Sequence, residues 1–230
     1  MCGRFTLTAT GEELAEAFEL EIPPQVAAPR YNIAPSQNVL VVRQAAGRRM
    51  LASVRWGMAP PWVPPGRHLI NARFESAASR PAFRDALRQR RCLVPATGFF
   101  EWKNEAGHRQ PFLFRRQDRR PFALAGLLDT WQAPDSALHE SCAILTCPPN
   151  GVVAPVHDRM PLILPREAYA LWLDPEVTRP ALLAPLGRPF AAELMEAVAV
   201  STLVNRADID EPACLEPLLA PWQSPQRRLW

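Results

Sequence analysis

The chain has 230 residues, 48% of them hydrophobic, and a formal net charge of +3 at pH 7. This length and composition are typical of a globular protein with a hydrophobic core, and we predict one domain over residues 1–230 with a proline-rich C-terminal tail from about residue 218. The net charge is too small to indicate a polyanionic partner by itself, so a nucleic-acid site would have to come from local clusters of basic residues.

The cysteine pattern and the hydropathy exclude further classes of protein. Five cysteines are an odd number and none of them forms a C-x-x-C pair, so the sequence predicts neither a disulfide framework nor a zinc site. We expect no metal ion and no cofactor. The chain does not start with a basic segment followed by an apolar run, and it has no uninterrupted stretch of roughly 18 apolar residues. We therefore expect a cytoplasmic protein that does not span a membrane.

The chain starts with the sequence MCGRF, in which Cys2 directly follows Met1. Removal of Met1 would leave Cys2 with a free α-amine, of pKa about 7.7–8.0, beside a thiol of pKa about 8.5. Such a 1,2-aminothiol condenses with an aldehyde to an imine, and its sulfur then closes a thiazolidine ring. The only lysine of the chain is Lys103, which is the rival amine. The structural alternative is that Cys2 is simply a small apolar residue.

The first half of the chain predicts one helix, one long loop and one hairpin. Thr10 and Glu13 form a capping-box pattern before a helix that carries Leu14 and Phe18 on one face. The segment EIPPQVAAPRYNIAPSQ contains four prolines and predicts an extended loop. The runs NVLVVRQ and RMLASVRWG predict two strands of a hairpin around residues 46–47.

The second half predicts a sheet flanked by helices. After LINARFES, we expect a helix with Pro81 near its start, Phe83 and Leu87 facing inward, and Arg84, Arg88 and Arg91 on the opposite face. The runs RCLVPATGFFEW, PFLFRR, PFALAGLLDTW, SCAILTC and PLIL then have the spacing of an antiparallel sheet or barrel.

Towards the C-terminus, REAYALWL predicts a helix with Tyr169 and Trp172 inside, AAELMEAVA another helix, and VSTLV a strand. The predicted fold class is therefore α+β, with an antiparallel β-barrel-like core and flanking helices.

Three motifs place polar side chains where a strand pattern meets a turn: Asn71 in INARFES, Glu101 in GFFEW and His157 in VHDRM. On a strand, Glu101 would share a face with Phe99 and be removed from water, which raises a carboxyl pKa and suits proton transfer. Each residue also has a structural alternative. Asn71 is typical of a turn or helix cap, Glu101 of an ion pair with an arginine, and His157 of a buried structural histidine.

A second group of residues predicts contacts to nucleic acid. Arginine and aromatic side chains together hold unpaired strands, and stacking contributes about 1–3 kcal/mol per base. The alternative for each tryptophan is packing in the core. The candidates for this group are Arg4, Arg73, Arg159, Trp56, Trp62 and Trp102.

Eight blocks in fixed order resemble the SOS-response-associated peptidase family, whose members are also described as abasic-site processing proteins. The resemblance extends from residue 2 to about residue 217. It implies an antiparallel β-barrel-like core with flanking helices and a shallow positive cleft for single-stranded DNA that contains abasic sites. The blocks are MCGRF, YNIAPSQ, RWGMAPPW, INARFES, RCLVPATGFFEWK, ILTCPPN, VHDRMPLIL and VSTLVN.

The resemblance also implies roles for individual residues. Cys2 would be the mature N-terminus that crosslinks to the aldehyde of an abasic site, and Asn71, Glu101 and His157 would complete the active site. The implied DNA contacts are Arg73 and Arg159 with Arg4, and a stacking Trp56 beside Gly57; Trp102 is a further candidate. One departure is Cys147, which stands where the family pattern has a threonine.

Two other classes of function stay open at this point. A cysteine hydrolase would use Cys2 as nucleophile, His157 as base and Asn71 or Glu101 as orienting group, and would remove Met1 itself. A non-catalytic single-strand binding module would need only the arginines and tryptophans. We expect a monomer, and association with the nucleoid after DNA damage.

Overall fold

The structure, a computed structural model, describes residues 2–24, 28–60, 63–64, 66–105, 107–132 and 138–218. Two β-sheets make up most of this part of the chain, and short helices surround them. In chain order, the strands are β1 (Phe5–Leu7), β2 (Arg30–Ile33), β3 (Asn38–Ala45), β4 (Arg48–Trp56), β5 (Asn71–Arg73), β6 (Arg91–Ala96), β7 (Gly98–Glu105), β8 (His108–Arg116), β9 (Phe122–Gln132), β10 (Leu138–Cys147), β11 (Met160–Pro161), β12 (Ile163–Leu164) and β13 (Met195–Ala199).

The larger sheet closes into a barrel. Strands β10, β4, β3, β6 and β9 each pair with the next, and β9 pairs again with β10. The pairing of β4 with β10 is parallel, with Trp56 opposite Cys142, and the other pairings of the ring are antiparallel. The predicted α+β fold with a barrel-like core is confirmed, and the barrel is mixed rather than wholly antiparallel because β10 joins β4 in parallel.

The second sheet has the strand order β13-β8-β7-β1-β2 and is antiparallel throughout. Successive side chains of a strand point to opposite faces. Phe99 and Phe114 accordingly belong to the main core that this sheet shares with the barrel. Phe100 and Leu113 belong to a smaller core on the other face, together with Val204 of the C-terminal segment.

The helices in this part of the chain are short. They are α1 (Gly11–Phe18), α2 (Phe74–Ala77), α3 (Arg84–Gln89) and α4 (Tyr169–Leu173). The predicted capping box of α1 is confirmed, because Thr10 and Glu13 bond reciprocally and the inward face is buried. The helix predicted around REAYALWL is confirmed as a 3-10 turn, Arg166–Ala168, that continues into α4 with Tyr169 and Trp172 buried. No helix of the described residues has the length and apolar character that crossing a lipid bilayer requires.

The hairpin predicted around residues 46–47 is also confirmed, since β3 and β4 pair from Asn38 opposite Arg55 to Ala45 opposite Arg48. Ala46 and Gly47 both have positive φ values, 48° and 78°. A two-residue turn with this geometry matches the right-handed twist of the strands that it joins.

Three element predictions are wrong, two of them because a sheet edge overrides the local pattern. Residues 30–33 were expected to be loop but form β2, since these four residues lie between Pro29 and Pro35, keep their N–H groups and pair with β1. Residues 195–199 were expected to continue a helix but form β13 on the open edge of β8. The VSTLV segment was expected to be a strand, whereas Thr202–Asn205 is a 3-10 helix.

Two further boundaries differ from the prediction. The run RCLVPATGFFEW is divided at Thr97 into β6 of the barrel and β7 of the second sheet. Helix α3 begins at Arg84, so Pro81 lies before it.

Arg91 is not on the outer face of α3, where the sequence predicted it. It is buried and donates hydrogen bonds to four backbone carbonyls at the ends of α3 and α4, those of Leu87, Arg88, Trp172 and Asp174.

The proline-rich tail beyond residue 218 lies outside the described residues. The interpretation of the whole chain as one domain stays a prediction.

Candidate functional site

Strand pairing brings the start of the chain beside Glu101. Strand β1 pairs with β7, with Phe5 opposite Phe99, and the Phe100 N–H donates to the Arg4 carbonyl at 2.9 Å. Residues 2–4 therefore continue along β7 towards Glu101, and the charge of Glu101 contributes to raising the pKa of the Cys2 thiol.

Asn71 reaches the same place from the barrel. Strand β5 pairs in parallel with β10, with Asn71 opposite Ile144. The Asn71 Nδ2 donates to the Cys2 carbonyl at 2.7 Å, while its Oδ1 is buried without a hydrogen-bond partner among the described residues. Asn71 is therefore neither a turn residue nor a helix cap; Arg73 is the residue before α2.

The Cys2 side chain is fully buried. Burial raises the pKa of its thiol well above the ordinary value, and the nearby carboxyl of Glu101 raises it further. The thiol is therefore protonated at neutral pH. Met1, whose removal the sequence predicts, lies outside the described residues.

The environment of Glu101 agrees with the strand alternation. Its side chain shares the buried face of β7 with Phe99, whereas Phe100 and Trp102 belong to the opposite face, and only 2% of Glu101 is exposed. Burial raises the pKa of this carboxyl to about 7. Near neutral pH, the group is therefore able both to donate and to accept a proton.

His157 approaches Glu101 from the segment before β11, which pairs with the end of β10. Its Nε2 lies 3.7 Å from the Glu101 Oε2. The backbone N–H of Arg159 donates to the His157 Nδ1 at 3.0 Å, and the same Nδ1 lies 3.1 Å from the Arg159 carbonyl. Burial lowers the pKa of His157, which favours the neutral ring.

A cleft of about 390 Å³ opens in front of Glu101 and His157, whereas Cys2 and Asn71 do not line it. Two arginines, a tryptophan, an amide and the Glu101–His157 pair line it, so it offers positive charge and a flat ring beside two proton carriers. Its lining consists of Gly3, Arg4, Glu101, Trp102, Arg109, His157 and Asn205. Among the described residues, no three His, Cys, Asp or Glu side chains converge to hold a metal ion.

Trp102 lies in this cleft and is half-buried. The Arg4 and Arg109 guanidinium groups lie 6.0 and 5.5 Å from the centre of its ring, and its Nε1 donates to the Asn205 Oδ1 at 2.6 Å. The Arg4 Nη1 also donates to the Asn32 Oδ1 at 2.7 Å. These contacts hold the ring and the two cations together at the mouth of the cleft.

Trp56 and Gly57 do not line this cleft, so the structure gives their predicted DNA contact no support, and it stays a prediction. Trp56 is fully buried, its ring packs edge-on against Phe5 at 5.2 Å, and its Nε1 donates to the Ile70 carbonyl at 2.9 Å. Gly57 is buried with a φ of 123°, and a Cβ there would lie 2.9 Å from the His68 Cβ. The RWG motif is thus a packing feature of the barrel.

Arg73 and Arg159 lie beside the cleft without lining it. Arg73 is exposed at the end of β5. Arg159 is held by the carboxylate of Glu75 and by the Thr146 carbonyl. Cys147 is buried, and burial raises the pKa of its thiol to about 12. The predicted stacking residue Trp62 lies outside the described residues.

Four residues of this region have roles that the sequence alone does not indicate. Asn32, Glu75 and Asn205 lie inside the blocks that carry the family resemblance, but nothing local distinguishes them. Arg109 follows Lys103 in a short polar stretch, and the β7–β8 hairpin places it opposite Asn104, close to Trp102. Only the hairpin register indicates a role for it in the cleft.

Comparisons with known proteins agree with this architecture. The abasic site processing protein YoqW of Bacillus subtilis is 38% identical over 222 residues, which cover 94% of this chain and 99% of the relative. The abasic site processing protein YedK of Escherichia coli is 37% identical over 187 residues, covering 77% and 82%. An X-ray structure of a protein from Bacteroides thetaiotaomicron has the same fold, with a TM-score of 0.83 at 24% identity over 95% of this chain and all of that one.

The sequence model that describes the SOS response associated peptidase (SRAP) family matches residues 1–207. This match covers all the strands of both sheets and every side chain that lines the cleft. The chain therefore belongs to the SOS response associated peptidase (SRAP) family.

Proposed function

We propose that the protein processes abasic sites in single-stranded DNA, as part of the response to DNA damage, by forming a thiazolidine crosslink through the mature N-terminal Cys2. The names of its relatives as abasic site processing proteins support the substrate. The observation that carries the proposal is the grouping of Asn71, Glu101 and His157 around the start of the chain. Proton carriers beside a nascent 1,2-aminothiol suit reaction with an aldehyde.

The proposed reaction has three steps. His157, in its protonated form, gives a proton to the ring oxygen and takes up the proton of the C1′ hydroxyl, which opens the closed sugar and exposes the C1′ aldehyde. The Cys2 α-amine adds to C1′, and Glu101 gives a proton to the departing hydroxyl, so that water leaves and an imine forms. The Cys2 sulfur then adds to the imine carbon while its proton passes to Glu101. The net loss is one water, and Asn71 orients Cys2 through its carbonyl.

Protonation of the thiol favours this order of events. A buried thiol with a raised pKa is a poor first nucleophile, whereas the α-amine has a neutral fraction near pH 7. Glu101, with a pKa of about 7, is a suitable acceptor for the thiol proton at ring closure. Ring closure removes the imine that would otherwise promote β-elimination and strand cleavage.

Binding of the strand is assigned to the cleft and its border. Arg4 and Arg109 supply positive charge, and the half-buried Trp102 offers a ring for a base. Arg73 and Arg159 extend the basic surface beyond the cleft. Loss of Met1 precedes the reaction, either through methionine aminopeptidase, which accepts a small second residue, or through the protein itself.

Intact mass measured under denaturing conditions tests the proposal. Incubation with a single-stranded oligonucleotide that carries one abasic site is expected to add the oligonucleotide mass minus one water to protein that lacks Met1, at Cys2. The Cys2→Ala variant keeps the amine and loses the sulfur, so the durable adduct is expected to disappear in favour of a transient imine and strand cleavage.

Cys92→Ala is the matched control, because it also removes a fully buried thiol and leaves the site intact. A Cys2→Ala protein that crosslinks as durably as the parent would refute the thiazolidine and indicate Lys103. No adduct, together with repeated peptide cleavage in trans, would identify a hydrolase. Equal affinity for intact and abasic strands without any adduct would identify a simple binding module.

A further inference from the structure

The guanidinium of Arg159 is already occupied by a carboxylate. Glu75, in the first turn of α2, accepts from Arg159 through both oxygens: Oε1 lies 2.8 Å from Nη1 and Oε2 lies 2.9 Å from Nη2. This bidentate arrangement uses the end of the guanidinium that phosphate oxygens also bind.

The other donors of Arg159 point into the protein. Its Nη2 donates to the Thr146 carbonyl at 2.6 Å, and its Nε is buried without a hydrogen-bond partner in the described part of the chain. The side chain of Arg159 is only 12% exposed, whereas that of Glu75 is 46% exposed. Glu75 therefore covers Arg159 from the solvent side.

Glu75 is ionised at neutral pH. Burial alone would raise the pKa of its carboxyl, but the hydrogen bonds from Arg159, a backbone hydrogen bond and the charges of Arg159 and Arg73 together lower it below the ordinary value. An exposed negative charge thus lies between two arginines, on a surface otherwise suited to phosphate.

We propose that Glu75 is an internal competitor for Arg159, which a phosphate of the bound strand has to displace, and that Glu75 thereby limits the affinity for intact single-stranded DNA. The inference rests on the proposed function, because it assigns a binding role to Arg159. A covalent adduct persists without a tight non-covalent complex, so this limit on affinity does not weaken the final crosslink, while it speeds release from undamaged strands.

The competition has a measurable consequence for salt dependence. A cation that contacts phosphate releases condensed counterions, and each such contact on a single strand adds about 0.7 to the slope of log affinity against log salt concentration. When Glu75 is displaced, its freed carboxylate attracts a cation and offsets that release. Without the Glu75 charge, the full slope of the Arg159 contact is expected.

The test is the affinity of the Glu75→Gln protein for an intact, fluorescently labelled single-stranded oligonucleotide, measured by anisotropy over a series of salt concentrations. Surface ion pairs of this kind stabilise by amounts that correspond to about two- to fivefold in affinity. We expect binding tighter by about two- to fivefold at low salt, and a salt slope steeper by about 0.7.

Asp118→Asn is the matched control. Asp118 forms a similar two-pronged pair with Arg116 at the opposite end of β8 from Arg109, its side chain is 44% exposed, and its loss changes the net charge equally. This variant is expected to leave the slope unchanged and to alter affinity only slightly, through net charge.

Arg159→Gln, alone and combined with Glu75→Gln, completes the cycle. If Glu75 acts through Arg159, the double variant binds like Arg159→Gln and the gain vanishes. Thermal unfolding checks that all four variants, including Asp118→Asn and the double variant, are folded.

Two outcomes would overturn the inference. In the first, Glu75→Gln binds as weakly as Arg159→Gln, which would mean that Glu75 supports Arg159 rather than competing for it. In the second, Glu75→Gln shows the same affinity and salt slope as Asp118→Asn. Crosslinking of an abasic oligonucleotide, measured by intact mass under denaturing conditions, separates these outcomes from failure of the proposed function. A parent protein that crosslinks while Glu75→Gln shows no gain refutes only this inference. A parent protein that neither binds nor crosslinks refutes both.

Discussion

The burial of Glu101 makes its ionised form unfavourable in the folded protein, and it also gives the carboxyl the pKa that the proposed chemistry needs. Its carboxyl lies on the buried face of β7, where ionisation is unfavourable, and its pKa is raised to about 7 by burial. A carboxyl that titrates near neutral pH can donate and accept protons in one reaction cycle. The neutral His157 ring beside it provides a second proton carrier.

Replacement of Glu101 by Gln is expected to stabilise the fold in a pH-dependent way. The folded pKa of about 7 exceeds the ordinary value of 4.5, so the folded state binds more protons between these pH values and stability falls as pH rises through the window. Glutamine has no charge and avoids this loss. Above about pH 8, the free energy of unfolding of Glu101→Gln should exceed that of the parent by roughly 3 kcal/mol, and the difference should vanish below about pH 4.

Urea denaturation at the two pH values measures this difference, and Glu193→Gln, an exposed carboxyl, is the control. The same Glu101→Gln protein should crosslink slowly while it binds single-stranded DNA normally. A difference in stability that does not depend on pH, or an equal loss of binding and crosslinking, would make Glu101 a structural residue.

At the scale of elements, β10 connects the parts of the candidate site. Its first half pairs with β4 and closes the barrel. Its second half pairs with β5, which carries Asn71, and its last residues pair with β11, which follows His157 in the chain. The C-terminal segment around residues 200–215 contributes from the opposite side of the second sheet, where Asn205 meets Trp102. Sequence periodicity predicts these strands but not their neighbours.

Asn32 of β2 holds the C-terminal segment in place. Its Nδ2 lies 2.6–3.3 Å from the carbonyl oxygens of Val204, Arg206 and Ile209, and its Oδ1 accepts from Arg4. Since Asn32 is fully buried, Asn32→Ala removes all of these hydrogen bonds at once, although Arg4 and the Val204 carbonyl stay bonded to each other, and is expected to destabilise the protein by about 2–4 kcal/mol.

Hydrogen exchange should accelerate most at the backbone amides of residues 201–210, and affinity for single-stranded DNA should fall because Arg4 and Asn205 lose their support. The control is Asn38→Ala, at an exposed position of β3. Uniform acceleration of exchange throughout the chain would show that Asn32 contributes to global stability only.

At the scale of the whole molecule, the barrel and the second sheet share one hydrophobic core. The main cluster of buried residues includes Val41 and Leu124 of the barrel, Phe99 and Phe114 of the second sheet, and Trp172 of α4. Neither sheet can be removed without exposing the buried face of the other. This sharing supports the predicted single domain.

We therefore expect a single cooperative unfolding transition. Far-ultraviolet circular dichroism, which reports both sheets, and tryptophan fluorescence should give the same midpoint and the same dependence on urea. Separate midpoints, with one sheet persisting after the other has unfolded, would contradict the single-domain prediction.

The amino-acid sequence alone determined the features that depend on near neighbours. The capping box at Thr10, the hairpin at Ala46 and the burial of Glu101 by strand alternation all follow from residues a few positions apart. Local propensity, turn geometry and side-chain alternation act over that range. The eight ordered sequence blocks also indicated the family to which the chain belongs.

Tertiary structure decided everything that depends on strand register between distant segments. The hydrogen bond from Asn71 to Cys2 spans 69 positions, and that from Arg4 to Val204 spans 200. Trp56 was predicted to stack on a base, but it is buried in the closed barrel. Residues 195–199 form a strand because they pair with the open edge of β8. Burial and pairing belong to the assembled sheets, so no local pattern could specify them.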